Sequence, residues 1–190
     1  MSRQESNLRR RVHALTWLMI VGLVVSGITA IPLKREIDWL VRHTPSIASS
    51  SETTTDGVAP WLLKIRDAIR TTDSQFPFLF YGTDWLAFGH FVIAVAFIGA
   101  LRHPVRNRWL FDFGLIACAM VIPYALIMGA ARGIPLWWRL VDCSFGVFGA
   151  IPMLLCRRYV DQLEARARSG SSAGRLENGT ETLASPAVTR

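Results

Sequence analysis

The chain has 190 residues, of which 51% are hydrophobic and 18% are charged, and its mean hydropathy is +0.30. This hydrophobic excess excludes a disordered chain, and the three cysteines, all in apolar runs without C-x-x-C spacing, exclude a disulfide framework and a structural zinc site. The formal charge of +7 suits nucleic acid, a membrane surface or a topology signal, so the placement of the charges along the chain has to decide.

Four apolar stretches reach or approach the length that a helix needs to cross a bilayer. A span requires about 20 mostly apolar residues, because a hydrocarbon core about 30 Å thick offers no water to unpaired backbone groups. Tryptophans near the ends of these stretches are typical of the headgroup region. The predicted spans cover about 12–31, 85–101, 109–131 and 134–156.

The first span follows a basic segment, residues 1–11, as the core of a secretory signal peptide would. Its apolar run is longer than the core of a typical signal peptide, and the small-residue cleavage pattern between Ser26 and Pro32 is poor. The sequence therefore favours an uncleaved anchor.

The loop between the first two spans, residues 32–84, has two helical patterns separated by a Ser/Thr-rich linker at 49–55. Apolar residues of the first pattern are spaced i, i+3, i+4, and Pro60 suits the first turn of a second helix with its own apolar face. Because amphipathicity alone identifies no ligand, we predict short amphipathic helices that lie on the membrane or cap the bundle, in preference to a receptor-like surface.

The segment after the fourth span divides at about Ser169. Alternating basic and acidic residues up to that point predict a helix that continues beyond the membrane domain, which we assign to residues 12–168. Residues 169–190 are rich in Ser, Gly and Thr and predict a disordered tail.

Orientation follows from the charges that flank the spans. Residues 1–13 carry four arginines and one glutamate, the loop at 102–108 carries three arginines and no acid, and the segment from Arg157 onward carries six arginines and four acids. Residues 34–82, in contrast, carry six basic and six acidic residues. Because cytoplasmic flanks are enriched in arginine and lysine, both termini are predicted to be cytoplasmic and the long loop to lie outside.

Ionisable residues inside predicted spans are few, and each is a candidate for a site because burying a charge in lipid is costly. By helix rise, His90, Arg139 and Asp142 share a depth toward the outer ends of the second and fourth spans. Arg139 and Asp142 are three residues apart and can pair directly.

These three residues have two interpretations. They form an outward-facing pocket for an anionic headgroup, a quinone or protons, or they form a purely structural polar contact that only holds the two spans in register. Other polar residues would lie at the mouth of the pocket (Asp84, Arg132 and His43). Because no nucleophile stands beside an oriented base, the sequence predicts no hydrolytic catalysis, and Asp112 is predicted to cap its helix or anchor the neighbouring loop.

The four histidines divide by predicted topology into an inner pair, His13 and His103, and an outer pair, His43 and His90. Two axial histidines at each level of a bilayer can hold a haem at each level. Residues 10–13, which open the first span as Arg-Arg-Val-His, and 85–97, which surround His90, resemble the membrane cytochrome b subunits of formate dehydrogenase, nickel-iron hydrogenase and related bacterial di-haem cytochromes.

That resemblance implies haem b held by His13, His103 and His90, electron transfer between haem and quinone, and partner membrane subunits. It covers the first two spans. The third and fourth spans contain no histidine, which leaves His90 without a transmembrane partner, and the inner pair is the better site if one haem is held.

Small residues recur every four positions in three spans, and that spacing lets helix backbones approach closely in lipid. The recurrences are Gly22, Ser26 and Ala30; Ala125 and Gly129; and Gly146 and Ala150.

Together these patterns predict an all-α, four-span transmembrane helix bundle in a bacterial-type inner membrane. The predicted function class is a non-hydrolytic multi-pass inner-membrane protein of undetermined activity, and within it a cytochrome-b-like redox subunit is the hypothesis with most chemistry. The alternative is an assembly, scaffold or small-ligand-binding protein in which His90, Arg139 and Asp142 form the structural polar contact or the pocket. Nucleic acid is not an expected partner, because the basic residues follow the positive-inside pattern instead of clustering on one soluble face.

Overall fold

The computed structural model describes residues 3–44 and 57–183, and gives side-chain surroundings as far as Ser169. In these residues every regular element is helical. A 3₁₀ turn, Pro77–Phe80, precedes the fourth of six α-helices, which are α1 (Arg3–Ala30), α2 (Leu33–His43), α3 (Val58–Gln75), α4 (Tyr81–Arg102), α5 (Trp109–Ala131) and α6 (Leu136–Leu183). The Ser/Thr-rich linker and residues 184–190 of the predicted tail lie outside the described residues.

Four of the helices are long and apolar enough to cross a membrane: α1, α4 with its preceding 3₁₀ turn, α5, and α6 as far as Ser169. Many of their large apolar side chains are exposed, among them Trp17, Ile116 and Phe148. Exposure of this kind is unfavourable in water and favourable in lipid. The prediction of an all-α chain with four apolar helices of spanning length is confirmed for the described residues.

The helices are longer than the predicted apolar spans. The polar ends at residues 3–11 and 157–168 continue the helix because arginine, glutamine, glutamate and leucine all favour helical backbone. Thus α1 begins at Arg3, well before the apolar run. The backbone of α6 continues to Leu183, whereas the sequence predicted a disordered tail from Ser169.

The chain divides into two compact units. The α5–α6 unit falls within residues 1–19 and 96–190, and the α2–α3 unit within 20–95, so that α1 and α4 each contribute residues to both.

Within the α5–α6 unit, the core is formed by side chains that recur on one face of each helix. Met153, Cys156, Val160 and Leu163 of α6 follow helical spacing and are buried. The ring centroids of Phe97 and Phe111 are 6.4 Å apart. The other buried members of this core are Leu8, Val12, Thr16, Ala100, Leu110 and Cys143.

Close contact between α5 and α6 depends on small residues, as their spacing predicts. A Cβ added to Gly146 would lie 2.6 Å from the carbonyl oxygen of Cys118, which is backbone and has no room to move aside. Gly22 has no atom within 4 Å of such a Cβ, so this predicted packing residue faces open space. A glycine is therefore required at only one of these two positions.

In the α2–α3 unit, both helices bury the apolar stripes that the sequence shows. Ile37 and Val41 of α2 and Leu62 of α3 are buried, and Pro60 lies in the first turn of its helix, where a missing N–H costs nothing. Ion pairs join Lys34 to Asp73 and Asp38 to Arg70, the second with an N–O distance of 2.8 Å. The position of α2 and α3 on a membrane stays a prediction.

Candidate functional site

A tight turn connects α5 to α6 and determines which polar side chains meet there. Gly133 has a φ of +69°, a left-handed conformation that favours glycine, and the Ile134 N–H donates to the Gly129 carbonyl at 2.9 Å. This is the hydrogen-bond pattern with which helices commonly end. Pro135 directly precedes α6, and its carbonyl accepts from the Trp138 and Arg139 N–H groups of the first turn.

Beside this turn lies a pocket of about 430 Å³, which we call the turn pocket. Two of its lining residues are charged: Arg132, at the end of α5, is exposed, and Asp142, two turns into α6, is half-buried. The remaining lining residues are Val121, Tyr124, Ala125, Met128, Gly129 and Ile134. The pocket is therefore an apolar surface with one carboxylate and one guanidinium.

The Asp142 carboxylate makes no hydrogen bond and no ion pair with any described residue. An ionised carboxylate that loses water without gaining a partner is strongly disfavoured. Asp142 is thus the group in the turn pocket with the most to gain from a bound donor or cation.

The predicted direct pair between Arg139 and Asp142 does not form between these two described residues. Instead, Nη1 of Arg139 donates to the Leu126 carbonyl on α5 at 3.3 Å, and its methylene groups lie against Gly129. Because Gly129 has no side chain, the arginine can cross to the neighbouring helix. Its Nε is buried without a hydrogen-bond partner among the described residues.

Two further residues of the predicted pocket, His90 and Asp84, belong to the α2–α3 unit. His90 is half-buried, and its Nδ1 lies 2.8 Å from the Leu86 carbonyl oxygen one turn earlier. Asp84 is exposed and lines a separate pocket of about 220 Å³, whose other lining residues are Tyr81, Trp85 and Phe88. The grouping of His90 with Arg139 and Asp142 stays a prediction.

The remaining histidines are all exposed. His43 stacks on Trp39, with ring centroids 4.7 Å apart, and its Nδ1 lies 2.8 Å from the Trp39 carbonyl oxygen. The side chains of His13 and His103 make no hydrogen bond with a described residue. Across the part of the chain that the structure describes, His, Cys, Asp and Glu side chains form no group of three that could hold a metal ion.

At the opposite end of the α5–α6 hairpin, the charges are paired. Arg108 contacts Asp161 at 3.2 Å and Glu164 at 3.5 Å, and Arg157 pairs with Asp112. We call these five residues the polar clasp. It links α6 both to the start of α5 and to the loop before it.

The sequence predicted Asp112 as a cap or loop anchor, and its partner Arg157 was missed. A signal for that pair does exist. In an antiparallel hairpin, residues at similar distances from the turn lie opposite each other, and Asp112 and Arg157 are roughly equidistant from Gly133. The predicted spans already place the turn at 132–133, so counting residues outward from it would have found the pair.

Comparison of the chain with protein-family models, with curated proteins and with solved structures finds no match. The function therefore has to be argued from the pocket and the charges themselves.

Proposed function

We propose that the chain is a multi-pass integral membrane protein that binds a small amphipathic molecule in the turn pocket. The four apolar helices are compatible with a multi-pass membrane protein. The observation that carries the proposal is Asp142, a half-buried carboxylate without a partner among the described residues, in a pocket with a mainly apolar wall.

The membrane and the orientation are part of this proposal. Arginine-rich flanks at residues 1–13 and 102–108 and from Arg157 onward support cytoplasmic termini in a bacterial-type inner membrane. With that orientation the turn between α5 and α6 faces the opposite side, and the turn pocket opens where headgroups meet acyl chains.

The lining of the turn pocket defines the class of ligand. Val121, Ala125 and Met128 suit a hydrocarbon tail, Asp142 suits an ammonium group or another hydrogen-bond donor, and Arg132 suits an anion. A zwitterionic lipid head carries both groups. We therefore assign the pocket to a lipid-like molecule whose head places a cationic amine beside a phosphate.

The test uses the full chain in a neutral detergent and short-chain phosphatidylethanolamine as the probe, with binding read by native mass spectrometry. Asp142→Asn keeps the shape of the side chain and removes its charge. We expect it to weaken probe binding by about tenfold or more, the loss typical of one charge-assisted hydrogen bond.

Asp84→Asn is the matched control, because it makes the same change at the pocket beside Trp85 in the α2–α3 unit. It should leave the affinity for the probe unaltered. Equal losses in the two variants, or a wild-type protein that does not bind the probe, would contradict the proposal. A lower melting temperature of Asp142→Asn with normal probe binding would favour a purely structural role.

A second candidate function is haem binding at His90. Nδ1 of this residue faces the Leu86 carbonyl, which leaves Nε2 for a ligand, and metal-ligating histidines favour that arrangement. Haem would supply one-electron redox chemistry there.

An absorption spectrum of protein purified from haem-replete cells tests this candidate. Haem binding at His90 predicts a Soret band that shifts on reduction with dithionite and that weakens in His90→Ala. His43 is the other histidine of the predicted outer pair, so the same loss in His43→Ala would identify it as the second axial ligand. Asp84→Asn is the control, because it changes a polar side chain near His90 that is not expected to bind haem. A spectrum without a Soret band would exclude haem.

A further inference from the structure

A second pocket of the α5–α6 unit, about 230 Å³ in volume, lies between the first turns of α1 and the C-terminal part of α6. Its lining residues are Gln4, Asn7, Leu8, Arg11 and Arg166, and none of the five is acidic. Two guanidinium groups and two carboxamides thus present many N–H donors to one small volume. We call it the arginine pocket.

Three acids of the same unit are already engaged in the polar clasp. Asp112 pairs with Arg157, and Asp161 and Glu164 pair with Arg108. The Arg11 guanidinium instead lies over the ring of Tyr159, 5.8 Å from its centroid. Such stacking holds the arginine in place without neutralising its charge. The arginine pocket therefore keeps a positive charge that the clasp does not cancel.

The place of the arginine pocket along the helices indicates what it binds. The apolar run of α1 begins directly after Arg11, so the pocket is level with the end of a membrane-spanning segment, where headgroups lie. Guanidinium groups bind phosphate oxygens through paired hydrogen bonds, and anionic lipids attract arginine near the membrane surface. We infer that the arginine pocket binds the phosphate of an anionic lipid headgroup.

The experiment uses the full chain in a neutral detergent and three probes: dioctanoyl phosphatidylglycerol, dioctanoyl phosphatidylcholine and glycerol 3-phosphate. The wild-type protein should bind the anionic lipid more tightly than either of the other two. Arg166→Gln should weaken binding of the anionic lipid by about tenfold or more, because an arginine fork on phosphate is lost. Arg166→Lys keeps the charge and should lose only part of the affinity.

Arg158→Gln is the matched control, since Arg158 is an exposed arginine of the same helix outside the pocket. It should change the affinity by less than about twofold. Arg166→Gln is preferred to a change at Arg11, whose stacking on Tyr159 also contributes to packing. Melting temperatures of Arg166→Gln and Arg158→Gln that match the wild type would establish that both fold.

Two outcomes would overturn the inference. Equal losses in Arg166→Gln and Arg158→Gln would show a diffuse positive field without a site. Binding of glycerol 3-phosphate as tight as that of the lipid would assign the pocket to a free phosphate compound. Binding of the anionic lipid at the arginine pocket is independent of the turn pocket, because Asp142→Asn should leave the affinity for the anionic lipid unchanged.

Discussion

The acidic side chains at the two ends of the α5–α6 hairpin have opposite surroundings. At one end, every acid of the polar clasp faces an arginine, as in the pair of Asp112 with Arg157. About 22 Å from Arg157 by helix rise, Asp142 has no partner among the described residues, although Arg139 is only three residues distant. Paired charges hold helices together, whereas an unpaired carboxylate in a pocket is available to a ligand.

Both ends of the hairpin depend on a fixed spacing between α5 and α6. Gly146 maintains that spacing. Gly146→Ala would place a methyl group against the Cys118 carbonyl and force the helices apart. We expect the largest effect here, a loss of about 1–3 kcal/mol in the free energy of unfolding, because overpacking a tight contact has that cost. Thermal unfolding followed by tryptophan fluorescence in detergent measures it.

Gly22→Ala is the matched control for this change. It adds the same methyl group where no atom lies within 4 Å, so the stability should stay the same or rise by a few tenths of a kcal/mol from helix propensity. If both variants unfold at the wild-type temperature, the close approach at Gly146 is not what holds the hairpin.

A smaller loss is expected at the clasp. Asp112→Asn removes the charge that faces Arg157, and the two side chains are 37% and 35% exposed, so solvent screens part of the attraction. The free energy of unfolding should fall by about 1 kcal/mol. Arg106→Gln, at an exposed loop position without an ion pair among the described residues, should have no measurable effect.

The helical framework could be predicted from the sequence because it depends on local properties. Apolar runs of spanning length correspond to α1, α4, α5 and α6, and the spacing of Ile37 and Val41 corresponds to the buried face of α2. Each of these features is decided by residues within a few turns of one another.

The partners of the charged side chains could not be predicted from local properties of the sequence. Arg139 and Asp142 are neighbours on one helix, yet the rotation of α6 against α5 takes Arg139 to the Leu126 carbonyl. Asp112 pairs with Arg157 across the hairpin, a contact that local spacing does not show but that counting residues outward from the turn would have found. The end of α6 was also missed, because the Ser/Gly-rich composition after Ser169 outweighed the helix-favouring residues within it.

One paired measurement tests most directly whether the acids of the polar clasp are structural and Asp142 serves a ligand. Asp112→Asn and Asp142→Asn make the same chemical change, and each purified variant is assayed for its melting temperature and for binding of short-chain phosphatidylethanolamine. We predict that Asp112→Asn has a lower melting temperature than the wild type and binds the probe with normal affinity. Asp142→Asn should melt near the wild-type temperature and no longer bind the probe. If Asp142→Asn has a lowered melting temperature and still binds the probe, the turn pocket is a structural feature and not a ligand site.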